Sequence, residues 1–210
     1  MAFHWKAQLY VFGHWGVRLG MTLAGIRCRM AGREHIPRDR AAVFCSNHQS
    51  NVDPPLLFEV LHPRLHIFFK AELKKLPLLG RAFGFGGFVA VDRRNREQSL
   101  AAIEEAAASV RAGNSFLIFP EGTRSRTGEL LPFKKGGFMM AIKAQAPVVP
   151  VAVQGGRAAM RRGSALVWPT TVSVRIGEPV ETKGLRAEDR DQVVREVRAR
   201  IEAMLAQGPV

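Results

Sequence analysis

The sequence has few cysteines, few acidic residues and no legible signal peptide. Its 210 residues contain two cysteines, Cys28 and Cys45, too few for a disulfide framework. No apolar stretch with a small-residue cleavage site can be read near the N-terminus. We therefore expect a reducing compartment, on the cytosolic side. A chain of this length can bury one compact core without covalent cross-links.

Acidic residues number 18 against 31 lysines and arginines, which gives a formal net charge of +13. Such a charge predicts attraction to nucleic acid, anionic lipid or phosphorylated substrates, and it also occurs on an ordinary soluble basic surface. Acids are scarce in two stretches in particular. Residues 1–40 contain Glu34 and Asp39 as their only acids, and none lies between Arg157 and Glu178.

No run of apolar residues is long enough to cross a membrane. Residues 5–26 are apolar and aromatic, but Gln8, His14 and Arg18 interrupt them, whereas a spanning helix needs roughly 20 apolar residues. Aromatic residues followed by arginines are typical of a helix that lies in the membrane interface. The same residues also fit an ordinary helix that packs on the domain. We predict that residues 1–30 form an amphipathic helical segment, peripheral or monotopic on the cytoplasmic face of a membrane.

Beyond Gly32, short apolar runs alternate with helical periodicity. The runs at 41–45, 65–69, 88–91, 116–119 and 148–153 are continuous, as strands buried on both faces require. Helical spacing predicts a helix over 97–112 and another near the C-terminus, and residues 171–176 alternate like an exposed or edge strand. The pattern predicts an α/β fold with a mixed, largely parallel sheet covered by helices.

The segment NHQSNVD, residues 47–53, follows a predicted strand and carries His48 and Asp53. Side chains five residues apart point about 140° apart on a helix and to opposite faces of a strand, so neither element lets them touch. Pro54 and Pro55 disfavour helical geometry at Asp53 and predict a turn in which the carboxylate could reach the imidazole. Asp53 also suits the N-cap of the next helix, and His48 suits a structural histidine. The two interpretations of Asp53 are compatible, because one carboxylate oxygen can cap the helix while the other accepts a hydrogen bond from the imidazole.

The segment FPEGTRS, residues 119–125, lies at the carboxyl end of a predicted strand, where open α/β sheets place their ligands. Gly122 allows close backbone approach, and Arg124 offers a planar fork for phosphate, although Arg124 could instead pair with Glu121. Several cations at one sheet edge predict a phosphorylated ligand. Lys70 and Arg93 follow two other predicted strands, and Lys134 and Lys135 open a predicted helix whose N-terminal N–H groups favour anions.

Four blocks match a known family in order and spacing: residues 47–53, GFVAVDR at 87–93, FPEGTR at 119–124 and VVPV at 148–151. Together they resemble the motifs of the glycerolipid acyltransferases of the 1-acylglycerol-3-phosphate type. The match extends over residues 43–153. The form FPEGTR favours the lysophosphatidate branch over the glycerol-3-phosphate branch. Residues 31–210 would then form the acyltransferase domain.

The resemblance implies a role for each matched position. His48 would be the catalytic base and Asp53 would orient it. Glycerol-phosphate binding would fall to Arg93, Glu121, Gly122 and Arg124. We add two residues to this predicted substrate-binding set because of their positions at the same sheet edge: Lys70 and Thr123.

The resemblance also implies a reaction. A fatty acyl group would pass from acyl-CoA or acyl carrier protein to the sn-2 hydroxyl of 1-acylglycerol-3-phosphate, giving phosphatidic acid. The expected partners are lysophosphatidate, the thioester donor and an anionic membrane surface, without nucleic acid, and no metal or cofactor is expected beside the thioester co-substrate. Three alternatives stay open. They are transfer to another lysolipid, such as a lyso-aminolipid or a lysophospholipid under remodelling; hydrolysis by the same histidine; and a non-catalytic basic module that binds membrane or nucleic acid.

Overall fold

The structure is a computed structural model that describes residues 2–61, 65–71, 84, 86, 88–91, 96–125, 127–161 and 163–210. The side chains of residues 2–7, 9, 70 and 96 are outside this description.

One seven-stranded sheet organises the described chain. Its strands are β1 (Ile26–Ala31), β2 (Val43–Ser46), β3 (Leu65–Lys70), β4 (Val89–Val91), β5 (Ser115–Ile118), β6 (Val148–Gln154) and β7 (Thr170–Ile176). Their spatial order is β1-β7-β6-β2-β5-β3-β4. β6, β2, β5, β3 and β4 are mutually parallel, whereas β1 and β7 are parallel to each other and run antiparallel to β6. The prediction of a mixed, largely parallel sheet is confirmed.

Helices cover both faces of this sheet. They are α1 (Ala2–Leu23), α2 (Asp53–Val60), α3 (Arg96–Arg111), α4 (Gly136–Ala144), α5 (Gly156–Ala159) and α6 (Arg190–Ala206). Successive strand residues point to opposite faces, so Val43 packs into the cluster of α3, α4 and α6, and Phe44 into that of α1 and α2. Both are fully buried. The continuous apolar runs follow from this double burial.

β1 was not predicted, and its presence changes the position of β7. The sequence IRCRMA of β1 carries two exposed arginines and therefore lacks a continuous apolar run. β1 pairs with β7 over six residues, from Ile26 opposite Thr170 to Ala31 opposite Arg175. The expectation that residues 171–176 form an edge strand is therefore wrong, because β1 covers that edge. The predicted boundary after residue 30 falls within β1.

Helix α1 packs on the domain through one face and exposes the other. Tyr10 stacks on Phe58 with ring centroids 5.8 Å apart, and His14 Nδ1 lies 3.0 Å from Glu59 Oε2. The exposed face carries large apolar side chains at helical spacing: Val11, Phe12, Trp15, Leu19 and Leu23. No helix in the described part of the chain combines the length and the apolar character needed to cross a membrane.

Candidate active site

The candidate site lies at the sheet edge where the parallel strands end. NHQSNVD follows β2, FPEGTRS follows β5, and residues 155–161 follow β6. β5 and β6 flank β2 directly, so the three segments leave the sheet side by side. Open parallel sheets place ligands at this edge because the departing loops surround a crevice there.

The turn after β2 brings the two predicted catalytic side chains together. His48 Nδ1 lies 3.0 Å from Asp53 Oδ2. The Asp53 side chain is fully buried, while that of His48 keeps 15% of its surface exposed. If Nδ1 carries the proton and donates it to Asp53, the other ring nitrogen, Nε2, keeps a free lone pair.

The Asp53 carboxylate points back into the turn and not forward into α2. Its Oδ2 atom also accepts hydrogen bonds from the backbone N–H groups of Gln49, at 2.6 Å, and Ser50, at 2.7 Å. Helix α2 begins at Asp53 itself, after Val52, and no side-chain bond caps it. The N-cap interpretation of Asp53 is therefore wrong. Its carboxylate stabilises the loop that carries His48.

Glu121 connects the second motif to the first. Its Oε1 atom accepts a hydrogen bond from the backbone N–H of His48 at 2.8 Å, and its Oε2 atom accepts one from Leu131 N–H at 2.9 Å. The side chain is 4% exposed. Burial raises the pKa of Glu121, and the two backbone hydrogen bonds oppose that rise. The backbone N–H of Ser125 adds a second connection by donating to His48 O at 3.0 Å.

Two further side chains fix the ends of the His48 loop. The buried Asn47 amide donates to Val153 O at 2.9 Å and accepts from Val153 N–H at 2.7 Å, so it extends the pairing between β2 and β6. Ser50 Oγ donates to Met160 O at 3.1 Å. These contacts hold the loop against the segment that follows β6.

Neighbours of His48 line two spaces, an apolar cavity and a basic groove. Its ring stacks on Phe119, with centroids 4.2 Å apart. Phe119 lines a cavity of about 300 Å³ together with Phe68, Val91, Ile103 and Leu117. Gln49, the next residue along the chain, lines an open groove of about 920 Å³ whose remaining walls include Ser125, Gly155, Arg157 and Arg161.

The other predicted substrate-binding residues are described to different extents. Gly122 lines the apolar cavity and has a φ of 70°, a conformation that favours glycine. Thr123 is exposed and Arg124 is half-buried in the same loop. Lys70 ends β3 at this edge of the sheet, but its side chain lies outside the description, as does the whole of Arg93.

The sequence interpretation gave no role to Phe119, Gln49, Arg157 or Arg161. The apolar run predicts Phe119 as the last residue of a strand, whereas β5 ends at Ile118 and Phe119 lies in the loop that follows. Arg157 and Arg161 lie in the stretch without acidic residues that precedes Glu178. Their position directly after a buried parallel strand was the available signal, because the carboxyl ends of parallel strands share one edge.

Neither cysteine is placed to act as a nucleophile. Cys45 is fully buried in β2, and burial raises the pKa of its thiol well above the ordinary range. Burial likewise raises the pKa of Cys28 to about 11. The reactive form of cysteine is the thiolate, and both thiols stay protonated at neutral pH. Within the described residues, no group of three or more His, Cys, Asp or Glu side chains could hold a metal ion.

Comparison with known proteins identifies the family. A family model described as Acyltransferase matches residues 27–154. The 1-acyl-sn-glycerol-3-phosphate acyltransferase of Cocos nucifera is 32% identical over 190 residues, 90% of this chain and 61% of that protein. The alpha form of Homo sapiens is 33% identical over 168 residues, 80% of this chain and 59% of that protein. This chain thus spans about three fifths of the length of these curated relatives.

A solved structure shares both fold and sequence with this chain. The crystal structure of the 1-acyl-sn-glycerophosphate (LPA) acyltransferase PlsC from Thermotoga maritima superposes with a TM-score of 0.81 at 30% identity. The superposition covers 96% of this chain and 78% of that one. The motif blocks, the sheet and these matches lead to one conclusion: the chain belongs to the acyltransferase family.

Proposed function

We propose that this protein transfers a fatty acyl group from a thioester donor, acyl-CoA or acyl carrier protein, to the sn-2 hydroxyl of 1-acylglycerol-3-phosphate, yielding phosphatidic acid. The observation that carries the proposal is the 3.0 Å contact between His48 Nδ1 and Asp53 Oδ2. Two neighbours of His48, Phe119 and Gln49, line an apolar cavity and a basic groove. The names of the matched relatives support this choice of acceptor.

His48 acts as the general base in this proposal. Its Nε2 lone pair accepts the proton of the lysolipid hydroxyl while that oxygen attacks the thioester carbonyl. Asp53 holds the Nδ1–H tautomer and stabilises the imidazolium that forms, and the returned proton leaves with the thiol. A thioester is already activated, so the acyl group passes directly to the acceptor without an acyl-enzyme intermediate.

The two spaces beside His48 suit the two ends of such a reaction. The apolar lining of the cavity behind Phe119 suits a fatty acyl chain. The basic groove suits an anionic group of a substrate. The predicted phosphate-binding residues Lys70, Arg93, Gly122, Thr123 and Arg124 belong to the ends of β3, β4 and β5 and the segments that follow them, at the same sheet edge but on the side of the apolar cavity. Glu121 contributes by holding the His48 backbone and not by contacting the substrate.

Membrane association is the second part of the proposal. The exposed apolar stripe of α1 lies in the interface of an anionic membrane, with residues 1–30 as the attachment segment and 31–210 as the acyltransferase domain. Attachment is peripheral or monotopic. Location on the cytoplasmic face stays a prediction from the sequence.

Product analysis tests this function. Purified protein is mixed with labelled acyl-CoA or acyl carrier protein and a panel of lysolipids, and products are identified by mass. We expect phosphatidic acid from lysophosphatidate. His48→Ala should lower turnover by about 10²- to 10⁴-fold, the usual contribution of general-base catalysis, while lysophosphatidate binding is retained.

His35→Ala is the matched control, because its Nδ1 contacts Ile176 O at the opposite edge of the sheet. It should keep turnover near that of the unchanged protein. Full turnover in His48→Ala would refute the mechanism. Free fatty acid as the only product would favour hydrolysis, a preferred lysolipid other than lysophosphatidate would change the acceptor, and nucleic-acid binding without any product would favour the non-catalytic module.

A further inference from the structure

Exposed apolar side chains are concentrated in two segments of the described chain. Nine large hydrophobic residues are exposed there, and eight belong either to the outer face of α1 or to residues 166–168. The second segment contributes Leu166 at 64%, Val167 at 40% and Trp168 at 57% exposure. The ninth residue, Leu100, is isolated on α3. Contiguous exposed apolar surface marks an interaction site, whereas single residues do not.

The two segments adjoin. α1 ends at Leu23, and the chain then turns at Gly25, whose φ is 68°. A Cβ built on Gly25 would lie 2.8 Å from Pro169 Cβ, and Ile26 pairs with Thr170 in the first register position of β1 and β7. The end of α1 and residues 166–168 therefore lie side by side.

Charge selects a lipid surface as the occupant of this patch. No acidic residue occurs in residues 1–33 or in residues 130–177. Arg18 on α1 and Arg157 and Arg161 beside the loop are exposed. Cationic side chains around exposed tryptophan and leucine are typical of proteins that lie in the headgroup layer of anionic bilayers.

The loop is also attached to the catalytic site. Ser164 N–H donates to Arg161 O at 3.1 Å, and Trp168 N–H donates to Ala159 O at 2.8 Å, so the segment is held closed at its base. Met160 O, at that base, accepts the hydrogen bond from Ser50 Oγ in the His48 loop. Arg157 and Arg161 line the groove beside Gln49. A bilayer that touches Trp168 would therefore face the opening of the groove.

We infer that residues 164–168 form a second membrane contact beside α1, which seats the opening of the groove at the headgroup layer of an anionic bilayer. α1 alone is a single rod of roughly 33 Å, about which the domain could rotate. A second contact off the axis of the helix fixes that rotation. The inference concerns vesicle binding in the absence of substrates, so it stands or fails independently of the proposed reaction.

Tryptophan fluorescence tests the contact. In a variant with Trp5→Phe and Trp15→Phe, Trp168 is the only tryptophan left. We expect vesicles of phosphatidylcholine with phosphatidylglycerol to shift its emission to shorter wavelength, and brominated acyl chains in those vesicles to quench it. Emission that is unchanged by vesicles to which the protein is bound would overturn the inference.

A pair of leucine substitutions supplies the matched control. Leu166→Gln should lower the partition coefficient onto these vesicles by about tenfold, because one apolar side chain no longer leaves water. Leu100→Gln makes the same change at 55% exposure outside the patch and should leave partitioning unchanged. Equal effects of the two substitutions would count against the contact. So would a vesicle-free dimer that Leu166→Gln dissociates, because the patch would then be covered by a second copy of the chain.

Discussion

At the scale of single residues, contacts of both carboxylate oxygens fix the orientation of the Asp53 side chain. Oδ2 accepts hydrogen bonds from His48 Nδ1, Gln49 N–H and Ser50 N–H. Oδ1 is buried and makes no hydrogen bond to the described part of the chain, and it faces Gly156, where a Cβ would collide with it. The carboxylate has room only because residue 156 lacks a side chain.

Gly156→Ala should therefore impair catalysis without touching the substrate. The added methyl group pushes the Asp53 carboxylate away from His48, and we expect kcat to fall about tenfold or more, since orientation of the base contributes strongly to the rate. KM for lysophosphatidate should change little. Steady-state kinetics together with a thermal unfolding curve check this prediction. A folded variant with unchanged kcat would show that the Asp53 position tolerates the methyl group.

The spacing of His48 and Asp53 predicts a turn, and it does not predict what surrounds that turn. Five residues and two prolines favour a reversal in which the side chains can meet. Gly156 and Met160, which contact Asp53 and Ser50, are about 100 residues away in sequence. Sequence spacing reports local geometry, whereas these contacts depend on the adjacency of β2 and β6 in the sheet.

At the scale of elements, a chain of contacts joins α6 to the loop that carries His48. Arg198 on α6 donates to the carbonyl groups of Leu130, at 3.3 Å, and Leu131, at 2.7 Å. Leu131 N–H donates to Glu121, and Glu121 accepts from His48 N–H. The position of His48 is thereby linked to α6, which packs on the sheet face opposite that of α1 and α2. Glu121 is a positioning residue in this scheme.

Glu121→Gln separates this role from substrate binding. One amide oxygen can accept only one of the two backbone hydrogen bonds, and the NH₂ group opposes the other N–H, so the free energy of unfolding should fall by about 1–3 kcal/mol. As His48 shifts, kcat should fall while KM for lysophosphatidate stays constant. Denaturant unfolding and kinetics measure both effects. A rise in KM alone would instead make Glu121 a substrate ligand.

The exposed Glu129 offers the control for this substitution. Glu129→Gln removes a carboxylate from the same loop and should change the free energy of unfolding by less than about 0.5 kcal/mol.

The free energy of unfolding should also depend on pH through Glu121. Because burial raises the pKa of Glu121, the folded state binds its proton more tightly than the unfolded state does. The stability advantage of the unchanged protein over Glu121→Gln should then shrink as pH rises through the interval above the ordinary carboxyl pKa.

Burial explains why the sequence predicts some strands and does not predict β1. β2, β5 and β6 are buried on both faces, which selects continuous apolar runs. β1 lies at the edge of the sheet, with Arg27 and Arg29 exposed and Cys28 and Met30 packed inward. When β1 is not predicted, the alternation of apolar and polar residues in β7 indicates an edge strand. Pairing between residues more than 140 positions apart leaves no local signal.

At the scale of the whole molecule, charge and apolar surface are both unevenly distributed. The net charge of +13 accompanies one patch that contains nearly all the exposed large hydrophobic residues of the described chain. In the proposed attachment, charge would attract the molecule to anionic lipid over a distance, and apolar contact would hold it there. The two contributions respond differently to salt, because salt screens exposed charges and leaves apolar burial intact.

Salt should therefore separate the two contributions. Binding to vesicles that contain phosphatidylglycerol should fall as sodium chloride rises from about 0.1 M to 1 M, where the screening length shortens from roughly 10 Å to 3 Å. It should level off at the value measured on pure phosphatidylcholine. Flotation of the protein with each kind of vesicle measures this. Equal salt dependence on both would mean that the net charge plays no part in attachment.

The pairing of β1 with β7 also bears on the order in which the molecule folds. The edge strand that follows α1 finds its partner only after about 140 further residues have been synthesised, since Ile26 pairs with Thr170. Contacts of such long range form slowly because they close a large loop. During synthesis, the apolar stripe of α1 is therefore available to a bilayer well before the sheet can be completed. A membrane that captures α1 at that stage would protect its apolar stripe from aggregation and would hold one end of the chain while the rest of the domain assembles.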